Sequence, residues 1–272
     1  MILGHQRQIN FLKKILDSGK IPHAFLFSGQ EKLGKRKIAL EFSSWILKEP
    51  PISHPDFLLV EPKGETIQID QIREINHHLS LTPFRSKYKI VILDSAHLMT
   101  IQAQNCFLKT LEEPKGNSII ILITPFSELL LSTILSRCQE IKFFPLKRKE
   151  IEDFLKNKKI KNKEKILEVC QGRPGVLFEI LKDPKKLKEI EKIEKTLENF
   201  PQMAIFQKFN YLKSVNFDQF LEVLISYFQK KIFSKEHSRA VKILKLAQNL
   251  QILCLTSKVD RRMALELLSL EI

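Results

Sequence analysis

A segment with the spacing of a phosphate-binding loop follows an early apolar run of the chain. Gly29, Gly34 and Lys35 match the pattern GxxxxGK between a predicted strand and a predicted helix. In such a loop the glycines let backbone N–H groups turn into one concavity, and the helix N-terminus adds a positive dipole. The lysine would reach the β- and γ-phosphate oxygens, so the segment predicts a nucleotide cradle.

Two positions of this loop depart from the pattern. Arg36 stands where a serine or threonine hydroxyl would ligate Mg²⁺, and a guanidinium cannot coordinate a metal ion. Lys32 stands where a tight loop usually has a small residue. We therefore expect the cradle in outline without its magnesium ligand, and nucleotide binding by this loop stays open.

Asp94 follows the apolar residues Ile90 to Leu93, which resemble a Walker B strand. An aspartate at the carboxyl end of a central strand would hold Mg²⁺, and a following glutamate would orient or deprotonate the attacking water. Here the following residue is Ser95, which cannot act as a base unaided. Loss of general-base assistance typically costs about 10² to 10⁴ in rate. The alternative for Asp94 alone is a strand-end residue that caps the next turn.

Two further candidates lie downstream. Thr124 ends a later apolar run and could sense a γ-phosphate. Arg137 lies between Ser136 and Cys138, and only 10 of the 45 basic residues are arginines. A planar, permanently protonated guanidinium suits the charge of a phosphoryl group in transfer. For Arg137 in isolation, a surface salt bridge is the alternative.

The elements that must position these residues alternate in the first half of the chain. The predicted strands are 24–28, 57–60, 89–93, 119–124 and 140–144. The predicted helices between them are 35–47, 69–81, 100–113 and 129–135. Continuous apolar, β-branched runs are typical of parallel strands covered on both faces. The alternation predicts a three-layer α/β domain with a five-stranded parallel sheet.

The strand signal ends after residue 145, and amphipathic helices follow. We expect an α/β domain at 1–145, a helical domain at 146–198 and a second helical domain at 199–272. The phenylalanines of the last part have spacings that favour packing on helix faces over base stacking. They are Phe206, Phe209, Phe217, Phe220 and Phe228.

The composition excludes several classes of protein. With 43% hydrophobic and 28% charged residues, the 272-residue chain is neither disordered nor of low complexity. Its four cysteines lack zinc spacing and suggest no disulfide framework, so we expect a reducing cytoplasm. The residues after Met1 do not form a charged and apolar leader, and no apolar run nears the roughly 18 residues of a membrane span, so we expect neither export nor a membrane-spanning segment.

The formal charge of +14 lies mostly behind residue 145. Lysines there alternate with glutamates at helical spacings, as in 185–195, which indicates first a solvated helix face. A weak DNA-facing surface is the alternative, because a lysine-rich field attracts phosphate without reading sequence.

Several segments together match the pattern of one known family. They are 23–29 (HAFLFSG), 53–56 (SHPD), 69–73 (IDQIR), 103–105 (AQN), 108–114 (LKTLEEP), 135–138 (LSRC), 172–175 (GRPG) and 259–268 (VDRRMALELL). The chain resembles the delta-prime family of bacterial DNA polymerase III clamp-loader subunits, in the AAA+ superfamily. The resemblance covers residues 1 to about 145 nearly continuously and is weaker in the helical half.

The resemblance implies an AAA+ P-loop domain, an all-α lid and an all-α collar that joins five subunits in a ring. It implies that Arg137 acts in trans on the ATP bound by a neighbouring tau or gamma subunit, where such a finger can contribute roughly 10³ to 10⁵ in rate. Expected partners are tau or gamma and delta subunits, with the sliding clamp and primed DNA reached through the complex and no membrane. The chain would be a stator that needs no cofactor of its own.

Three departures from the family pattern refine these expectations. The stretch 48–56 contains no cysteine where the family often has a four-cysteine zinc module, so neither zinc nor another metal site is expected. Gly172 is followed three residues later by Gly175, where the ATPases carry a lid arginine, and Arg173 is displaced. The collar is shorter than usual for the family.

Two alternatives remain. The chain could be an ATP-hydrolysing subunit of the tau or gamma type whose loop tolerates Arg36. It could also be a helical DNA-binding protein with a nucleotide-free α/β domain, although the charge that supports this reading is diffuse.

Overall fold

Five parallel strands form one sheet in the computed structural model, which describes residues 2–156, 158, 160, 162–232, 237–256 and 259–272. The strands are β1 (Ala24–Ser28), β2 (Phe57–Val60), β3 (Lys89–Leu93), β4 (Ser118–Thr124) and β5 (Gln139–Lys142). Their order is β2-β3-β4-β1-β5, and every neighbouring pair is parallel. The predicted five-stranded parallel sheet is confirmed.

Helices precede, separate and follow the strands. They are α1 (Gln6–Ser18), α2 (Lys35–Leu47), α3 (Ile69–Ser80), α4 (Ile101–Glu112), α5 (Ser132–Leu135), α6 (Arg148–Lys156), α7 (Lys163–Cys170), α8 (Pro174–Lys182), α9 (Lys185–Asn199), α10 (Ile205–Ser214), α11 (Phe217–Lys231), α12 (His237–Thr256) and α13 (Arg261–Glu271). Behind β5, the regular structure of the described residues is helical, as predicted.

The continuous apolar runs of the central strands are explained by burial on both faces of the sheet. Successive residues of a strand point to opposite faces. Ile90 and Ile92 of β3 therefore join a core with α1 and α2, whereas Val91 and Leu93 join a core with α3 and α4. Each layer of helices thus has its own core.

Some element boundaries differ from the prediction. The sequence did not predict α1, although Ile9 and Leu12 bury one face of it. The helix expected over 129–135 is reduced to the single turn α5, because the backbone N–H of Leu131 and the carbonyl of Leu129 both bond to the buried side chain of Gln104. These contacts hold the residues before α5 in a non-helical conformation.

The chain divides into two compact units. One comprises residues 1–163 and 172–176, and the other comprises 164–171 and 177–272. The three-domain boundaries at 145 and 198 stay a prediction. Among the described residues, no helix combines the length and the apolar character needed to cross a bilayer.

Aromatic side chains fill much of the core of the second unit. Phe200 and Phe220 are almost fully buried, and their ring centroids are 6.1 Å apart. Phe228 is also buried, as the helical spacing predicted. The packing prediction is wrong for Phe206, which lies near the start of α10 and is 74% exposed. The buried residues of α10 come later in the helix.

A buried carboxylate organises the loop between α3 and β3. Asp56, which has no exposed surface, accepts hydrogen bonds from the backbone N–H groups of Phe84, Arg85 and Ser86 at 2.6, 2.8 and 2.9 Å. The ammonium of Lys89 lies 3.4 Å away. Burial alone would raise the pKa of Asp56, but these donors outweigh it and hold the pKa well below the usual range.

We expect Asp56→Asn to lower the unfolding free energy by about 3 to 5 kcal/mol, because the buried Lys89 ammonium loses its counter-charge. A carboxylate with a depressed pKa stabilises the fold above its unfolded pKa of about 3.9, and that contribution is lost as the pH falls further. The difference between variant and wild type, measured by urea unfolding, should therefore be full at pH 7 and shrink below about pH 4.

The matched control is Asp70→Asn, which breaks the exposed pair with Arg73 on the surface of α3. Such pairs contribute about 1 kcal/mol or less. Equal losses for the two variants would refute the organising role of Asp56.

Candidate functional site

The carboxyl ends of neighbouring strands bring the predicted nucleotide-site residues together. Gly29 follows β1, Asp94 follows β3, and Thr124 ends β4 directly opposite Ser28 of β1. Glu61, which follows β2, joins the same edge. The sequence analysis missed Glu61, although its place directly behind a predicted strand was a usable signal.

The loop between β1 and α2 has the backbone geometry that its glycines require. Gly29 has a φ of 128°, and a Cβ on it would lie 2.2 Å from the carbonyl oxygen of Phe143. Gly34 caps the N-terminus of α2 with a φ of 93°. Lys32, at the position where a small residue was expected, adopts a left-handed φ of 61°.

Protein donors bind the carbonyl groups of this loop. The ammonium of Lys35 donates to the carbonyls of Gly29 and Gln30, the latter at 2.6 Å. The backbone N–H of Gly175 donates to the carbonyl of Lys32 at 2.7 Å. His5 Nε2 lies 2.8 Å from the carbonyl of Leu33. The loop is thus tied to α1, to α2 and to the start of α8.

Burial changes the proton affinity of Lys35. Its side chain is 6% exposed, and this burial lowers the pKa to about 8, against the opposing charges of Glu31 and Asp94. At pH 7 the ammonium therefore stays charged.

Arg36 bridges the two acidic groups at the sheet edge. Its Nη1 lies 2.5 Å from Glu61 Oε1 and 3.5 Å from Asp94 Oδ2. The other oxygen of Asp94 accepts the backbone N–H of Ser95 at 2.8 Å. Burial raises the pKa of Asp94, and the charge of Arg36 opposes this rise. The guanidinium is the cation that faces both carboxylates.

These residues do not fit a magnesium ion of the P-loop type. The hydroxyl ligand is replaced by the cationic Arg36, and both oxygens of Asp94 already face protein donors. In the part of the chain that the structure describes, no cluster of three or more His, Cys, Asp or Glu could hold a metal ion. The expectation that zinc is absent stays a prediction.

Two buried side chains flank this edge. Thr124 Oγ1 accepts the backbone N–H of Phe126 at 3.0 Å, so the hydroxyl is engaged in its own turn. Its role as a phosphate sensor stays a prediction. Burial lowers the pKa of His97 to about 4, helped by the charge of Lys35, so the imidazole is neutral at pH 7. Its Nδ1 has no hydrogen-bond partner among the described residues.

Arg137 lies at the opposite edge of the sheet. It comes two residues before Gln139, the first residue of β5, which pairs with Phe25 of β1. Phe25 precedes Gly29 by four residues, so about 13 Å of strand separates the two levels. The structure therefore separates Arg137 from the other predicted site residues.

Contacts within its own chain hold the side chain of Arg137, which is 35% exposed. Nη1 donates to the carbonyl of Thr133 at 2.8 Å, and Nη2 lies 2.8 Å from Glu112 Oε1. Ser136 Oγ also donates to the Thr133 carbonyl. Cys138 packs against the core of α3 and α4, and burial raises the pKa of its thiol to about 12. That thiol is an inert anchor at neutral pH.

The strand order, the loop after β1 and the aspartate after β3 define an AAA+ P-loop protein. The crystal structure of a DNA polymerase III gamma subunit-related protein from Thermotoga maritima has this fold, with a TM-score of 0.53, 23% identity and 97% coverage of both chains. A family model described as DNA polymerase III, delta subunit, matches residues 4–147, more than half of the chain. The chain belongs to this family, as the sequence resemblance indicated.

Curated relatives include more than one type of subunit. The chain is 36% identical to DNA polymerase III subunit delta' of Bacillus subtilis (strain 168) over 165 residues, 55% of this chain and 50% of that protein. It is 33% identical to subunit tau of the same organism over 158 residues, 52% of this chain and 28% of that protein. The chain thus spans about half the length, or less, of these relatives.

We expect Gly175→Ala to destabilise the protein. Replacing a glycine inside a helix with alanine ordinarily stabilises the helix by about 1 kcal/mol. Here a Cβ would lie 2.6 Å from the backbone oxygen of Lys32, which no side-chain rotation can relieve. Urea unfolding should show a loss of about 1 to 3 kcal/mol, whereas a gain in stability would refute the tight contact.

We expect Arg36→Met to lower the unfolding free energy by about 1 kcal/mol, because two partly exposed carboxylates then face each other without a cation. Without Arg36, the pKa of Asp94 rises further. A carboxyl whose folded pKa is raised stabilises the fold when protonated, so the variant should recover relative to wild type as the pH falls from 7 to 5.

The control for this prediction is the double variant Arg36→Met with Asp94→Asn, which removes the repulsion. Its unfolding free energy at pH 7 should return toward that of wild type. A double variant as unstable as the single one would contradict the bridging role of Arg36.

Proposed function

We propose that this chain is a non-hydrolysing, delta-prime-type subunit of a DNA polymerase III clamp loader. In this role it supports ATP-dependent loading of the sliding clamp onto primed DNA by lending Arg137 to the ATP site of a neighbouring tau or gamma subunit. Membership of the DNA polymerase III delta family and the AAA+ fold support the assignment. Tau or gamma and delta subunits are the proposed partners.

The position of Arg137 carries the proposal. Its guanidinium lies at the amino edge of the sheet, a strand length away from the phosphate loop of its own chain. It is anchored by the inert Cys138 and partly exposed. An arginine so placed cannot serve its own loop, and a phosphate brought by another chain is the substrate group that it fits.

The arrangement at the carboxyl edge favours a subunit that does not hydrolyse ATP. Lys35 donates to carbonyls of its own loop, and Arg36 replaces the hydroxyl that would bind magnesium. Ser95 follows Asp94 where a glutamate would activate water. Binding of nucleotide by Gly29, Gly34, Lys35, Asp94 and Thr124 is not required for the proposed role.

An exposed apolar stripe supports the proposed collar. Met263, Leu267 and Leu270 of α13 are 61%, 50% and 57% exposed and lie on one face at helical spacing. The opposite face of α13 contributes Leu265 and Leu268 to the core of its own unit. A stripe of this kind suits helix packing between subunits.

The second candidate is an ATP-hydrolysing subunit of the tau or gamma type. The 33% identity to the Bacillus subtilis tau subunit favours it. The replaced hydroxyl at Arg36 and the missing glutamate at Ser95 argue against it together.

Turnover of Mg-ATP tests the proposal. We expect negligible hydrolysis by the pure chain and hydrolysis when a tau or gamma subunit of the same organism is added. Arg137→Ala should lower the rate of hydrolysis about 10³- to 10⁵-fold at the ATP site that Arg137 completes on the neighbouring subunit. Total turnover should fall by the fraction that this site contributes. Assembly, followed by size-exclusion chromatography, should be unchanged.

Arg73→Ala, on the exposed surface of α3, is the matched arginine control and should leave turnover at the wild-type rate. Leu267→Glu should weaken assembly itself. Motor-like turnover by the pure chain would establish the second candidate, and equal rates for Arg137→Ala and wild type would remove the role of Arg137.

A further inference from the structure

Glu112 is the last residue of α4, and its carboxylate is one of the groups that hold the Arg137 guanidinium. Glu112 Oε1 lies 2.8 Å from Nη2, while Nη1 donates to the carbonyl of Thr133 at 2.8 Å. Both terminal nitrogens therefore have partners on the same subunit. The contacts fix the guanidinium at two points.

Arg137 needs such support because the element before it is short. The helix α5 is a single turn of four residues, and Arg137 follows it on the way into β5. α4, in contrast, is twelve residues long, and Phe107 and Leu111 bury one of its faces in the core. Glu112 thus connects the side chain of Arg137 to a well-packed helix.

We propose that Glu112 is a positioning residue for Arg137. Glu112 holds the guanidinium of Arg137 in a fixed orientation toward the phosphate site of a neighbouring subunit. The inference rests on the proposed function of Arg137 in trans. An arginine side chain loses rotamer freedom when it is fixed. Glu112, on the same subunit, fixes the side chain before the neighbouring subunit binds. Less rotamer freedom of Arg137 is therefore lost when the transition state forms.

The chain contains a matched control for this inference. Glu113 is the neighbouring glutamate in the same LEEP segment, and its side chain is exposed at the end of α4. A glutamate near a helix C-terminus is unfavourable to the helix dipole. Alanine at 112 or at 113 should therefore not unwind α4. A change in turnover that occurs only with alanine at 112 is attributable to the contact with the guanidinium.

The experiment measures Mg-ATP turnover by the assembly of this chain with a tau or gamma subunit. Glu112→Ala should lower kcat at the ATP site that Arg137 serves about two- to fivefold, the range of a partly exposed ion pair, with KM for ATP unchanged. Total turnover should therefore fall by less than it does for Arg137→Ala. Glu112→Gln, which keeps an oxygen acceptor, should recover part of the loss. Glu113→Ala should match wild type, and size-exclusion chromatography should show intact assembly for all variants.

The double variants separate positioning from a general structural role. In an Arg137→Ala background, Glu112→Ala should have no further effect. Three results would overturn the positioning role while the function of Arg137 stands. Glu112→Ala could lower kcat in the Arg137→Ala background as well, or it could raise kcat in the wild-type background. It could also have the same kcat as Glu113→Ala. If Arg137→Ala itself leaves turnover unchanged, the proposed function and the positioning role both fail. If Glu112→Ala does not fold, the same comparisons apply to Glu112→Gln.

Discussion

The parallel direction of all five strands is the constraint on which the other features depend. It gathers the residues that follow β1, β2, β3 and β4 at one edge and places the residues that precede β5 at the other. The phosphate loop, Glu61 and Asp94 therefore form one group, and Arg137 with Glu112 forms another. One strand register therefore produces two chemically different groups of side chains at opposite edges of the sheet.

At the carboxyl edge, the phosphate loop and the two carboxylates have partners within the protein. Lys35 binds loop carbonyls, Arg36 binds the two carboxylates, and the amide of Gly175 binds Lys32. Buried polar atoms are costly when unpaired, so internal partners stabilise the loop without a ligand. The loop therefore keeps its backbone conformation through contacts that the protein itself supplies.

The parts of this structure that could be predicted from the sequence are those encoded in short runs. Strand β1, helix α2 and the loop between them have the predicted limits, because apolar content and glycine spacing specify them locally. Other features join residues that are far apart in the chain. They are the hydrogen bonds of Gln104 that shorten the helix at 129–135 and the contacts of Glu61 and Glu112 with arginines. A single sequence carries no signal for such pairs. The exposure of Phe206 likewise depends on tertiary packing, which its helical spacing does not encode.

The contact between Gly175 and Lys32 also has an evolutionary consequence. Any side chain at 175 collides with the main chain of the loop, so a single mutation cannot install a lid arginine there. An arginine at 175 would require the loop to be remodelled and the glycine to be replaced together. The close approach of the two backbones therefore limits which single substitutions this position can accept.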